Sequence, residues 1–190
     1  LEGLFSGQPG IVVASGPSLD KNVHLLDGLE DKAVIVSADA SLRHLIKRSL
    51  KPHFISCMER LDETALLFKG LDQKDYEDVH MVSSPVVHPE TFAAFKGQIL
   101  STEREYQYFQ SLNFKKGLLV PGPSAGNMAF RILKHLGCNP IILIGQDLAL
   151  SEEGKTHAQG DPYGDEQSVY LDCPEEIEGN YTNTLKTNPI

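Results

Sequence analysis

The chain of 190 residues has little cysteine, and Cys57, Cys138 and Cys173 form no C-x-x-C pair. An odd count without paired spacing predicts reduced, uncoordinated thiols in a cytoplasmic protein. Cys57 and Cys138 lie among apolar residues and are expected in the core. No run of about 18 apolar residues occurs, so no membrane span is expected. The opening LEGLFSGQPG lacks the basic start and apolar run of a signal peptide. Basic charge is also scarce: 17 Lys and Arg stand against 26 Asp and Glu, for a net charge of -9. Such a chain gains no counterion-release attraction to nucleic acid and is repelled by anionic membrane surfaces. Two phosphate-binding signatures are missing as well. There is no G-x-G-x-x-G, and Gly154-Lys155-Thr156, which looks like the end of a P-loop, has Ala149 where the earlier glycine belongs.

What is present is ordinary globular composition, 41% hydrophobic and 23% charged, enough to fill one sizeable core. Short apolar runs recur at 11–14, 33–37, 53–57, 80–83, 98–101, 117–120 and 141–144. Flanked by Gly, Pro or Ser, they suit buried strands of a parallel sheet. Between them, Leu42, Leu45, Ile46 and Leu50 repeat at helical spacing. So do Met128, Ile132, Leu133 and Leu136, in a helix expected to end at Gly137. The alternation predicts an α/β, Rossmann-like, doubly wound and mostly parallel sheet with helices on both faces. The whole of 1–190 is expected to be one nucleotide-binding transferase domain. Its abrupt ends predict a piece of a longer protein, and the polar segment 148–183, with a strand-like run at 168–171, is expected to be a lid or binding loop.

In such a sheet the ligand sits beyond the carboxyl ends of the strands, so the residues just after each strand carry the chemistry. Ser15-Gly16-Pro17-Ser18 follows the first strand. Its glycine lets backbone N–H groups approach a ligand, and Ser18 can cap a helix whose N-terminus attracts phosphate. A plain capped turn fits the same pattern. Ser124-Ala125-Gly126, within PGPSAGN, repeats the motif at a second strand end, again with helix capping as the alternative. Asp39 stands after the second strand, where an acid accepts hydrogen bonds from ribose hydroxyls or caps the helix 40–50. Glu59 is a similar candidate after the third. Asp147 ends a strongly apolar strand, where a carboxylate is not tolerated buried and unpaired. His157, in a polar loop, is placed to move a proton or is a surface histidine. The acids of 152–166 can hold Mg²⁺ beside a pyrophosphate or are solvated loop charges. No metal ligand is assigned.

The order GPSLD, SADASLRHLIKRSLKPHFIS, PGPSAGNMAFRILKHLGCNPIILIGQDLAL and KTHAQG resembles the central domain of motility accessory factor proteins over residues 10–185. These belong to a superfamily with 6-hydroxymethylpterin diphosphokinase-like enzymes and share a fold with bacterial sialyltransferases. The resemblance implies transfer of a CMP-activated nonulosonic, sialic-acid-type sugar to flagellin Ser or Thr, without an obligatory metal or cofactor. Ser15, Gly16, Pro17 and Ser18 match its nucleotide-phosphate turn, and Ser124, Ala125 and Gly126 its second turn. Asp39 and Glu59 fall where polar contacts to the nucleotide are placed, with glutamate at 59 instead of the expected aspartate. Asp147 matches the strand-end acid, and His157 lies where a sialyltransferase-like base sits. Two other activities stay open. One is Mg²⁺-dependent pyrophosphate transfer from ATP to a small alcohol such as a pterin; the other is a non-enzymatic nucleotide-sugar sensor or flagellin-assembly module.

Overall fold

A computed structural model describes residues 1–102, 117 and 119–161, together with the backbone of Glu175–Ile177 and Leu185–Thr187. Six strands form one all-parallel sheet: β1 (Gly10–Val13), β2 (Val34–Ala38), β3 (Phe54–Cys57), β4 (His80–Ser83), β5 (Gln98–Ser101) and β6 (Ile141–Ile144). Their order is β5-β4-β3-β2-β1-β6. Val12 therefore lies between Val36 of β2 and Leu143 of β6. The chain steps outward from β1 to β5 and then returns to the far side of β1, so the order reverses between β1 and β6. Crevices for ligands open at such a reversal.

Alternation along the strands sorts their side chains onto two faces. Val12, Val34, Val36, Phe54 and Val82 pack under α4 (Ala125–His135), through Met128, Ala129, Ile132 and Leu133. Those four recur at three- and four-residue steps along the helix, as an amphipathic stripe requires. The other face, with Ile11, Val13 and Ile35, is covered by Leu19 of α1 (Leu19–Asn22) and Leu45 of α2 (Leu42–Ile46). Further along that face Ile55, Cys57 and Met81 pack with Tyr76, Phe68 and Phe95; Phe95 follows α3 (Pro89–Ala94). Helices on both faces of a parallel sheet make this the expected doubly wound α/β fold. A separate antiparallel pair, β7 (Glu175–Ile177) with β8 (Leu185–Thr187), completes the described backbone.

Six of the seven expected strands form, shifted by no more than a residue at their ends. The expected strand at 117–120 does not: Gly117, Leu119 and Val120 are outside any strand, and Val120 is 52% exposed. Pro121 and Pro123 offer no N–H to a ladder, and Gly122 takes a left-handed φ of +77°. Both neighbours of β1 are also already taken, by β2 and β6. Leu119 packs onto the α4 side of the sheet instead. The helix expected over 40–50 is shorter, since α2 ends at Ile46 and Ser49 turns to φ +60°. Gly137 stops α4 as expected, with φ +84° and its N–H donated to Lys134 O at 3.1 Å. Cys57 and Cys138 are buried and unpaired; Cys173 and the run 168–171 lie outside the described residues. Among the described residues no helix is long and apolar enough to cross a membrane.

Candidate functional site

A cavity of about 640 Å³ opens across the carboxyl ends of β3, β2, β1 and β6. Those ends span three strand spacings, roughly 14 Å. Its wall includes Ser15, Gly16, Asp39, Glu59, Ser124, Ala125, Gly126, Asp147 and His157. Residues drawn from six separate chain segments meet there. Pro17 and Ser18 stand behind the wall.

In the turn after β1 the backbone and hydroxyl donors are engaged within the chain. Ser18 has helical backbone angles and makes no side-chain cap. Its backbone N–H donates to Asp147 Oδ2 at 2.6 Å, and its hydroxyl donates to Asp147 Oδ1. The Gly16 N–H is engaged too, donating to Gly145 O at 2.8 Å. The helix that follows is one turn long. A carboxylate of the chain itself thus occupies the donors expected to receive a phosphate, and Asp147 is a clamp between the β1 and β6 turns. Gly16 is needed because a Cβ there would stand 2.5 Å from Gly145 O and 2.7 Å from Asp147 Oδ2.

The second turn keeps its donors. Ser124 is an extended N-cap of α4, its Oγ accepting the Asn127 N–H at 3.2 Å. Ser56, at the end of β3, donates its hydroxyl to Ala125 O at 2.7 Å and so fixes the first turn against the sheet. Among the described residues the Ala125 and Gly126 N–H groups have no acceptor. They sit at the positive end of an 11-residue helix, and both residues line the cavity.

Asp39 forms part of the floor and is 5% exposed. One carboxylate oxygen accepts the Ala40 N–H at 2.9 Å; the other, Oδ2, has no hydrogen-bond partner. It is not the cap of α2, a place taken by Ser41. Burial raises its pKa to about 6, opposed by the neighbouring Cys57 thiol and by the Ala40 N–H and assisted by the charges of Glu59 and Asp161. Burial, with Asp39 beside it, pushes the Cys57 thiol far up, so no thiolate nucleophile forms there.

His157 is held by its loop. Thr156 Oγ1 lies 2.8 Å from His157 Nδ1. The Ala158 N–H donates to Ser15 O and the Gln159 N–H to Asp20 Oδ2, each at 2.8 Å, while Gln159 O meets His44 Nε2 at 3.2 Å. The described part of 148–183, up to Asp161, is thereby tied to β1, α1 and α2 and builds a wall of the cavity. The remainder lies outside the described residues, apart from the backbone of β7. Among the described residues no three His, Cys, Asp or Glu side chains converge as a metal-holding set, and no Lys or Arg lines the cavity.

Sequence reading gave no role to Gln146, Leu148 and Thr156, which also line the wall, because strand-end position does not say which residues of a turn face the cavity. It also gave no sign of Leu148, which takes a left-handed φ of +52° with its side chain 76% exposed at the mouth. That conformation costs a leucine about 1–2 kcal/mol. Leu148→Gly is expected to raise the unfolding free energy by up to about 1 kcal/mol, once glycine's extra backbone entropy is deducted. A lower midpoint in denaturant would show that the residue is not left-handed.

No curated protein gives a significant match. Among solved structures, a MAf glycosyltransferase from Magnetospirillum magneticum AMB-1 has the same fold, at a TM-score of 0.74 and 20% identity. The match covers 100% of this chain and 29% of that one, so the chain spans less than a third of its neighbour. A family model for 6-hydroxymethylpterin diphosphokinase MptE-like proteins matches residues 1–153. The chain, by that match over most of its length, belongs to the MptE-like family.

Proposed function

We propose that the domain binds a nucleotide-activated sugar and transfers the sugar, as a glycosyltransferase-like domain of a larger protein. The observation that carries this is the pairing of two unsatisfied N–H groups at the start of α4 with the unpartnered oxygen of Asp39, in one cavity at the sheet's reversal point. A phosphoryl group suits the first and a ribose or sugar hydroxyl the second. The solved glycosyltransferase of the same fold supports the sugar-transfer reading.

The finer reading is a CMP-activated nonulosonic sugar as donor and a flagellin Ser or Thr as acceptor. His157 takes the proton of the acceptor hydroxyl, whose oxygen bonds to the anomeric carbon. The bond from that carbon to the phosphate oxygen breaks, and its electron pair leaves with CMP. The α4 N-terminus stabilises the charge that develops on the departing phosphate. Asp147 supports this indirectly, by holding the two turns together. The family match favours a second reading, Mg²⁺-assisted pyrophosphate transfer from ATP. The cavity carboxylates fit that ion poorly, since Asp147 is engaged with Ser18 and no metal-holding set converges among the described residues.

Calorimetric titration with CMP and with ATP, each with and without Mg²⁺, separates the readings. Metal-independent CMP binding is expected. ATP binding that requires Mg²⁺ would instead establish the second reading. With donor and acceptor in hand, His157→Ala is expected to lower transfer by about 10²-fold or more while leaving CMP affinity unchanged. Undiminished transfer would remove His157 from the chemistry.

A further inference from the structure

One polar side chain on the cavity wall has no role in the proposal above. Gln146 stands two residues past the end of β6, and its neighbour Asp147 is engaged with Ser18. Its carboxamide meets the first turn of α4 with the oxygen foremost. A Cβ built on Gly126 would stand 2.1 Å from Gln146 Oε1, 3.0 Å from Cδ and 3.3 Å from Nε2. The absence of a side chain at 126 is thus what lets the amide occupy that place. Among the described residues neither end of the amide has a hydrogen-bond partner. The Ala125 and Gly126 N–H groups beside it are likewise unused. A second feature of the same cavity independently points to a ligand: Asp39, 5% exposed, keeps an oxygen without a partner.

A carboxamide is neutral, with an acceptor at one end and two donors at the other. In the empty site the oxygen lies nearest the helix, at the positive end of its dipole. An anion arriving at the helix N-terminus reverses that preference, and a half-turn of the amide presents Nε2 at almost no steric cost. We infer that Gln146 selects the ligand's anionic group, its Nε2–H being the third donor to a phosphoryl oxygen held by the Ala125 and Gly126 N–H groups. Gly126 acts through it, by leaving room for the amide. The inference rests on the nucleotide reading of the site.

The test is calorimetric titration of CMP into the chain and into Gln146→Glu, Gln146→Leu, Gly126→Ala and the double variant Gln146→Ala/Gly126→Ala, with thermal unfolding to confirm that each folds. A fixed carboxylate at 146 opposes an anion, so Gln146→Glu is expected to weaken CMP by more than tenfold, and Gln146→Leu, which loses one charge-assisted donor, by about tenfold. Gly126→Ala is expected to match Gln146→Leu. In the Gln146→Ala background the added methyl meets no amide, so the double variant is expected to bind no worse than Gln146→Leu. If the natural chain binds CMP and both Gln146 variants bind it equally well, the role of Gln146 is refuted and the nucleotide reading survives. If the natural chain binds no CMP, both are overturned.

Discussion

Asp39→Asn is expected to remove a pH dependence of stability worth about 3 kcal/mol. The natural carboxyl is raised from 3.8 to about 6 by burial, a shift of about 2 units at about 1.4 kcal/mol each. Its folded-state pKa lies above its unfolded one, so the folded chain holds the proton more tightly. That contribution is fully present below pH 3.8 and is lost as pH rises through about 6. Other carboxylates move stability the opposite way; Asp27, for example, is held down by its hydrogen bond from Arg48. The informative quantity is therefore the difference between variant and natural chain. Denaturant unfolding of both at about pH 4 and about pH 8 should show the variant gaining about 2 kcal/mol on the natural chain, most of the full span. A difference that does not change with pH would mean that Asp39 is solvated. A hydroxyl donated to Oδ2 would favour the ionised carboxylate, so a sugar or ribose ligand is expected to bind more tightly above pH 6 than below it. Such a stability cost is the one expected of a residue kept for binding, as the proposed function requires of Asp39.

Much of this arrangement is legible in the sequence. Buried strands of a parallel sheet announce themselves as short apolar runs, because both faces are covered and period-two alternation disappears. The runs at 141–144 and 33–37 are of this kind, and both became strands, the second shifted by one residue to Val34–Ala38. The run at 117–120 looks the same and failed, since an apolar segment can fill a face of the sheet as easily as join it. Only the prolines at 121 and 123 hinted at the difference. Strand-end position found the cavity, placing Ser15, Gly16, Asp39, Glu59, Ser124, Ala125, Gly126, Asp147 and His157 on one wall.

What the sequence did not carry was direction. Two Gly-Pro-Ser turns are nearly identical as strings, yet one has its donors filled by Asp147 and the other has two left over. The filling residue lies 129 positions away from Ser18, so no local pattern signals it. Asp147 was given a role because it is charged and Gln146 beside it was not, although both line the cavity. Helix length supplied a clue of the right kind. The apolar stripe of α4 runs for three turns, whereas the segment after β1 carries no such stripe, and only a sustained helix sums its peptide dipoles.

Gly145→Ala is expected to cost about 3 kcal/mol or more, the largest loss of any single methyl at the site. Gly145 has a φ of +70°, and a Cβ on it would stand 2.1 Å from Ala14 O and 2.9 Å from Ala14 C. Those are backbone atoms of the neighbouring strand's end and cannot swing aside. They are fixed by the Ala14 N–H donated to Ile144 O and the Gly16 N–H donated to Gly145 O, both at 2.8 Å. Relief requires β1 and β6 to part where the sheet's order reverses, which opens the floor of the cavity. Gly28 provides the control. Its φ of +74° imposes the same left-handed cost, yet nothing lies within 4 Å of its would-be Cβ. Gly28→Ala should therefore lose only about 1 kcal/mol, the backbone term alone. Denaturant midpoints of the two variants, compared with the natural chain, isolate the contribution of close approach. Equal losses would mean that β1 and β6 do not meet as tightly as described, and the clamp of Asp147 on Ser18 would lose its geometric basis with them. A loss confined to Gly145→Ala would instead tie the stability of the fold to the strand junction that forms the ligand cavity.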